Sequence, residues 1–337
     1  MTTRAERKAA KSLLRIRGLY AWGSSEYGQL GLGPEVKERS VPTQVFGFEN
    51  TLQLAASGSH SLVLKTQGDR TAVFAFGRND KHQLGLVDSP ESSAAPAASK
   101  GDAEAGAEDA AQASSPVASP SSPSLDATIA SPRMSVGANK PLLNLPTLMS
   151  SLSDHRVVQV ACGGTHAAAL TAQGKVFSWG RGKYGQLGLG KDIFEQAIPR
   201  EVTEMDGVHI AHISAGGYHT AMVTKSNALY TCGLGSYGQL GHGDFLDQNV
   251  PTRVEALEDT LVSRVSCGDL HTAIITSKRE VYIWGSNEAR QLGSLDKVPY
   301  EDVNLISSTN SEISSDQVER SPHPQSWSTP TRLDVFQ

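Results

Sequence analysis

Four histidines stand in one kind of setting. His60, His166, His219 and His271 each follow a glycine turn: Gly58-Ser59, Gly163-Gly164-Thr165, Gly216-Gly217-Tyr218 and Gly268-Asp269-Leu270. Imidazole exchanges protons and binds metals near neutral pH, so four of them in equivalent places could form a catalytic or metal-binding ring. Cys162 and Cys267 precede His166 and His271 and offer a zinc pairing. Ala215 and Ser57 replace those cysteines beside His219 and His60, however, and a residue that recurs with a repeat whatever its neighbours reads as structural. The expectation is that each ring bonds a turn carbonyl. No serine, histidine and carboxylate come together outside the repeat, and every glycine cluster is explained as a turn. The sequence therefore assigns no catalytic residue, no metal and no cofactor.

One chemistry-bearing position escapes the repeat. Asp269 stands where the other turns have Gly164 and Gly217, so the fold makes no demand for an acid there. Asp269, with His271 two residues on, is the candidate pair for contact with a partner.

The elements that must position these residues repeat with a fixed period. Five phrases end in Gln-Leu-Gly, at Gly31, Gly85, Gly188, Gly241 and Gly293, and Trp22, Trp179 and Trp284 precede glycine at the start of three of them. The leading glycines, Gly23, Gly77, Gly180, Gly233 and Gly285, are 54, 103, 53 and 52 residues apart, and the long interval is two periods plus an insertion. Such a unit is too small to bury its own apolar face and must stack on its neighbours. Within it, Val157 to Cys162, His166 to Leu170 and Val176 to Trp179 read as short strands around tight turns, and a last strand follows a proline, as in Pro199 to Val202. Four short strands per unit describe an all-β propeller blade. The three Trp-Gly tryptophans and the three cysteines (Cys162, Cys232 and Cys267) read as core, the cysteines free and reduced.

The Gly-x-x-His-Thr turns, the Val-Tyr-x-Trp-Gly strand and the Gly-Gln-Leu-Gly loop resemble the repeat family of the regulator of chromosome condensation, from Leu19 to Phe336 apart from two insertions. The resemblance implies a seven-bladed propeller. Members of that family include a nucleotide-exchange factor for a small GTPase, ubiquitin-ligase and ciliary scaffolds, a plant ultraviolet receptor and a bacterial enzyme inhibitor. In the exchange factor, acidic and histidine residues of these turns face the GTPase, and Gly268-Asp269-Leu270-His271-Thr272 is the one turn here that matches. Its further acids and protruding wedge have no counterpart. Only four units contain both the histidine hairpin and the following loop, so a partial gene product is expected, with closure by a partner chain as the other reading.

Charge and composition divide the chain further. Residues 1–18 form a basic tail of net +5, with Arg4, Arg7, Lys8, Lys11, Arg15 and Arg17 against Glu6. Repeats occupy 19–87 and 141–295, and a further unit begins over 328–337. Residues 88–140, rich in Ala, Ser and Pro with net charge −4, lack any aromatic residue and read as disordered. Residues 296–327 form a second polar insertion. Six Ser-Pro pairs fall in the two insertions, which is what disordered loops contain and also what proline-directed kinases use. The nearly neutral body offers no basic face to nucleic acid, leaving only the tail for such contact. No run of apolar residues is long enough for a membrane span. The sequence thus points to a cytoplasmic or nuclear module that binds proteins, with guanine-nucleotide exchange on a Ran-like GTPase, chromatin-associated, as the rival.

Overall fold

The computed structural model describes residues 18–86, 142–293 and 326–333, all within one compact unit. The basic tail, the Ser-Pro pairs and almost all of both insertions lie outside the described residues. Among the described residues, every regular element apart from three short 3-10 turns is a strand. The chain opens with β1 (Leu19–Ser24) and β2 (Glu38–Val45), an antiparallel pair. Blade 1 contains β3 (Thr51–Ala56), β4 (His60–Gln67), β5 (Arg70–Arg78) and β6 (Leu142–Leu148). Blade 2 contains β7 (Val157–Cys162), β8 (His166–Thr171), β9 (Val176–Arg181) and β10 (Glu195–Glu201). Blade 3 contains β11 (Ile210–Ala215), β12 (His219–Thr224), β13 (Leu229–Gly233) and β14 (Gln248–Arg253). Blade 4 contains β15 (Val262–Cys267), β16 (His271–Thr276), β17 (Val281–Ser286) and β18 (Ser326–Arg332). Each blade is a four-stranded antiparallel meander with its strands in sequence order.

The core lies between blades, as the stacking argument requires. One apolar cluster joins Leu62 and Leu64 of blade 1 to Val157, Val160 and Trp179 of blade 2. A second joins Leu170 and Val176 to Ile210, Ile213 and Cys232, and a third joins Val223 and Leu229 to Val262, Val265 and Trp284. The second strand of each blade packs on the first strand of the next: β4 on β7, β8 on β11, β12 on β15. β8 and β12 are consequently buried along their whole length.

The fourth strand departs from the sequence reading. β10 starts at Glu195, four residues before Pro199, pairing Glu195 with Arg181 and Gln196 with Gly180 before its register shifts at the proline. Proline lacks the amide proton a ladder needs and is tolerated at a sheet edge or a bulge. It marks the middle of this strand and not its start, and Pro146 and Pro251 lie inside β6 and β14 in the same way.

Candidate functional site

The turns between first and second strands and the loops between third and fourth strands meet at one end of each blade. The leading glycine of the third strand makes this possible. Gly180 has φ +98°, and a Cβ there would lie 2.6 Å from the Thr165 carbonyl of the histidine turn. Both insertions leave from this end, one between β5 and β6 and the other between β17 and β18.

The histidines lock neighbouring blades together through this end. The His166 Nε2 lies 2.8 Å from the Thr220 hydroxyl of the next blade, which in turn donates to the Gln186 carbonyl at 2.7 Å. A hydroxyl has one proton, and here the carbonyl takes it, so Nε2 must be the protonated nitrogen that donates to Thr220. His219, Thr272 and the Gln239 carbonyl repeat the relay at 2.8 and 2.8 Å. Indoles add to the same acceptors: the Trp179 Nε1 donates to the Gln83 carbonyl at 3.0 Å, and the Trp284 Nε1 to that of Gln239 at 2.9 Å. His166 and His219 therefore bond hydroxyls of the next blade and not the turn carbonyls that the sequence suggested. His60 is the variant, with Nδ1 2.8 Å from the Ser57 hydroxyl and a buried Nε2 that has no partner, because Ala167 stands where Thr220 and Thr272 stand in later blades.

The electrostatics follow from burial. Loss of hydration disfavours the charged ring, pushing His60 down to about 4 and His166 and His219 down to about 3. The same effect pushes the Cys232 and Cys267 thiols up to about 12 and raises Cys162 as well. Neutral imidazoles committed to the next blade, beside protonated thiols, are poor proton shuttles and poor nucleophiles.

Asp269 and His271 lie at the same end but in a different condition. Gly164 is pressed against the following turn, its N–H donating to the Gly216 and Gly217 carbonyls, and a Cβ there would come within 2.6 Å of the Gly217 oxygen. Gly217 meets Asp269 in the same way. Asp269 itself is exposed, and His271 is only partly buried, unlike its three repeat mates. Partial burial lowers the His271 pKa, and the Asp269 carboxylate opposes that shift. The two candidate contact residues are thus brought together and face solvent. Nearby exposed Tyr218 stacks edge-on against Tyr184 at 5.7 Å, with the Lys183 ammonium 5.2 Å from the Tyr184 ring. In another loop at this end, Arg78 pairs with Asp80 and lies 5.0 Å from the Tyr27 ring. Tyrosine and arginine are enriched where proteins meet. Tyr27 and Tyr184 could have been read from Tyr-Gly-Gln-Leu-Gly and Tyr218 from its histidine turn, but which face they share depends on the turn geometry.

A model of the RCC1-like domain matches residues 18–331. The chain belongs to the RCC1-like domain family. Among RCC1-like relatives, the ultraviolet-B receptor UVR8 of Arabidopsis thaliana is 30% identical over 276 residues, covering 82% of this chain and 50% of the receptor. The probable E3 ubiquitin-protein ligase HERC3 of Homo sapiens is 38% identical over 149 residues, 44% of this chain and 14% of the ligase. The chain thus spans half the length of the first relative and a small part of the second. Human WBSCR16 superposes with a TM-score of 0.60 at 21% identity, covering 94% of this chain and 62% of that one. Prp20p of Saccharomyces cerevisiae, described with its binding to Gsp1p and histones, gives 0.51 at 20%, covering 95% and 75%. These two likenesses show the fold alone. No helix among the described residues is long and apolar enough to cross a membrane.

Proposed function

We propose that this RCC1-like propeller is a protein-binding module, acting through the end where histidine turns and Gln-Leu-Gly loops meet, without covalent chemistry. The observation that supports this reading is Asp269: an exposed acid at a position that two other blades hold as a tightly covered glycine. Beside it, His271 keeps part of its ring in solvent. The interlocked blades hold these turns rigidly, which favours recognition by preorganised loops. Three unpaired cysteines accord with a reducing compartment, the cytoplasm or nucleus.

One observation favours a second reading, guanine-nucleotide exchange on a small GTPase. Within Gly268-Asp269-Leu270-His271-Thr272, the turn that resembles that of the family's exchange factor, Asp269 is exposed and His271 partly so. Release of labelled nucleotide from a panel of GTPases separates the two. The scaffold reading expects no acceleration by the wild-type chain, and a measured acceleration that Asp269→Ala abolishes overturns it.

A further inference from the structure

Tyr218 also departs from its repeat mates. It precedes the histidine in the turn of blade 3, where the other turns have Ser59, Thr165 and Leu270, so the repeat makes no demand for an aromatic ring there. The side chain is 37% exposed, while its backbone is fixed, the Tyr218 carbonyl accepting from the Leu234 N–H at 2.9 Å. Asp269 of the following turn lies beside it. Gly217, the chain neighbour of Tyr218, donates its N–H to the Asp269 carbonyl at 3.0 Å, and the Asp269 carboxylate fills the space that a Cβ on Gly217 would need. An exposed ring and an exposed carboxylate are thus held next to each other across the seam between blades 3 and 4.

That pair of groups is complementary to one kind of side chain. A ring face attracts a cation, and a carboxylate accepts from the cation's N–H groups. Among the described residues no Lys or Arg pairs with Asp269. The adjacent His271 does not neutralise it, since burial holds that ring below its ordinary pKa. The chain displays the complete arrangement elsewhere at this end. Arg78 donates from Nε and one Nη to the two Asp80 oxygens at 2.6 and 2.5 Å, and its guanidinium carbon lies 5.0 Å from the centre of the Tyr27 ring. Tyr218 and Asp269 repeat the two outer members of that triple. Lysine suits them less well than arginine, because an ammonium is a point charge, whereas a planar guanidinium stacks on a ring and presents its fork to a carboxylate together.

We infer that the histidine turns of blades 3 and 4 receive an arginine side chain of the partner protein, its guanidinium over Tyr218 and its N–H fork on the Asp269 carboxylate. The inference rests on the protein-binding reading and deepens it by naming the chemistry that the partner must present. Tyr184, edge-on to Tyr218 at 5.7 Å, braces the ring. The seam beneath is packed by Val223, Leu229, Val262 and Val265, so the receptor is formed before the arginine arrives.

Saturation-transfer NMR on the 337-residue chain tests it, with an acetylated and amidated Gly-Arg-Gly peptide as the probe and its lysine and citrulline counterparts as comparisons. The arginine peptide should bind with a Kd on the order of a millimolar, the scale expected of so small a ligand. The lysine peptide should bind more weakly, and the citrulline peptide, neutral but of the same shape, at least about tenfold more weakly, as loss of a charge-assisted hydrogen bond does. Asp269→Asn should weaken the arginine peptide by about the same factor. Tyr218→Thr should weaken it about threefold by removing the ring face, and Tyr218→Phe should preserve it. Unchanged melting curves for the three variants show that folding is intact. A wild-type chain that does not bind the arginine peptide overturns the inference, as does one that binds the citrulline peptide equally well. So does arginine binding that Asp269→Asn or Tyr218→Thr leaves unchanged, since the peptide would then sit elsewhere. None of these outcomes bears on whether the chain is a scaffold or an exchange factor, which the release of labelled nucleotide decides separately.

Discussion

At the scale of the residue, most of what looked like chemistry is adhesive between blades. His166 and His219 complete relays that end on a loop carbonyl, and their protonated nitrogen is fixed by the single proton each threonine can give. His60 lacks the relay only because Ala167 brings no hydroxyl, leaving Nε2 buried and unpartnered. Ala167→Thr should supply that partner, with the Gln83 carbonyl in place to accept the hydroxyl proton. A hydrogen bond that satisfies a buried donor contributes about 1 kcal/mol, so urea unfolding should show a gain of that size. Ala167 is fully buried, and a loss of stability instead would mean that overpacking outweighs the bond. Asp269→Ala should behave oppositely: being exposed, it should change stability by no more than about 0.5 kcal/mol while weakening partner capture in a direct binding assay. Recurrence with the repeat is what set the expectation of a structural role for the histidines, and Asp269 stood out by departing from it. Their hydrogen-bond partners were not legible, because a threonine some 50 residues on is a neighbour only once the blades stack. Trp22 misled for the same reason. It is 59% exposed where Trp179 and Trp284 are fully buried against Gly85 and Gly241 of the preceding units, which overturns the reading of all three as core.

At the scale of the element, the period located every four-stranded blade, since alternation, turns and glycines all recur together. What it could not show was the extent of the fourth strand, where Pro199 suppresses the pairing signal in the middle of a strand that edge position makes tolerable. The placement of the first insertion carries a prediction. β5 and β6 already pair, from Phe74 with Leu148 to Arg78 with Leu142, so the intervening chain has only to connect them. β9 and β10 make the equivalent connection directly, from Arg181 to Glu195. Removing residues 89–139 should therefore leave the melting temperature almost unchanged, because loop-closure entropy varies only slowly with length. A loss above about 2 kcal/mol would show that the segment packs on the propeller, since changes on a free surface rarely reach that size.

At the scale of the whole molecule, stability is shared among interfaces that each enclose a neutral imidazole, and this makes it depend on pH with a definite sign. Burial holds His60 at about 4 and His166 and His219 at about 3, well below the ordinary value of 6.5. Unfolding releases all three into water, where they bind protons below about pH 6.5. Above that pH neither state is protonated and their contribution is complete. Below it the unfolded chain takes up protons that the folded chain refuses, so stability falls as pH drops, until the folded pKa values are reached at about 4 to 3. By pH 5 each histidine should have withdrawn on the order of 2 kcal/mol. Three together remove about 6 kcal/mol, comparable with the whole stability of a typical domain. His212 and His242, also lowered by burial, act in the same direction. Urea midpoints measured between pH 7.5 and 4.5, chosen to bracket the unperturbed value, should show near-constant stability above pH 7 and a steep decline below pH 6. The limiting slope should correspond to uptake of about three protons on unfolding. A flat profile down to pH 5 would mean that the folded protein protonates these rings as readily as the unfolded chain does, and the burial of neutral imidazoles between the blades would then be wrong.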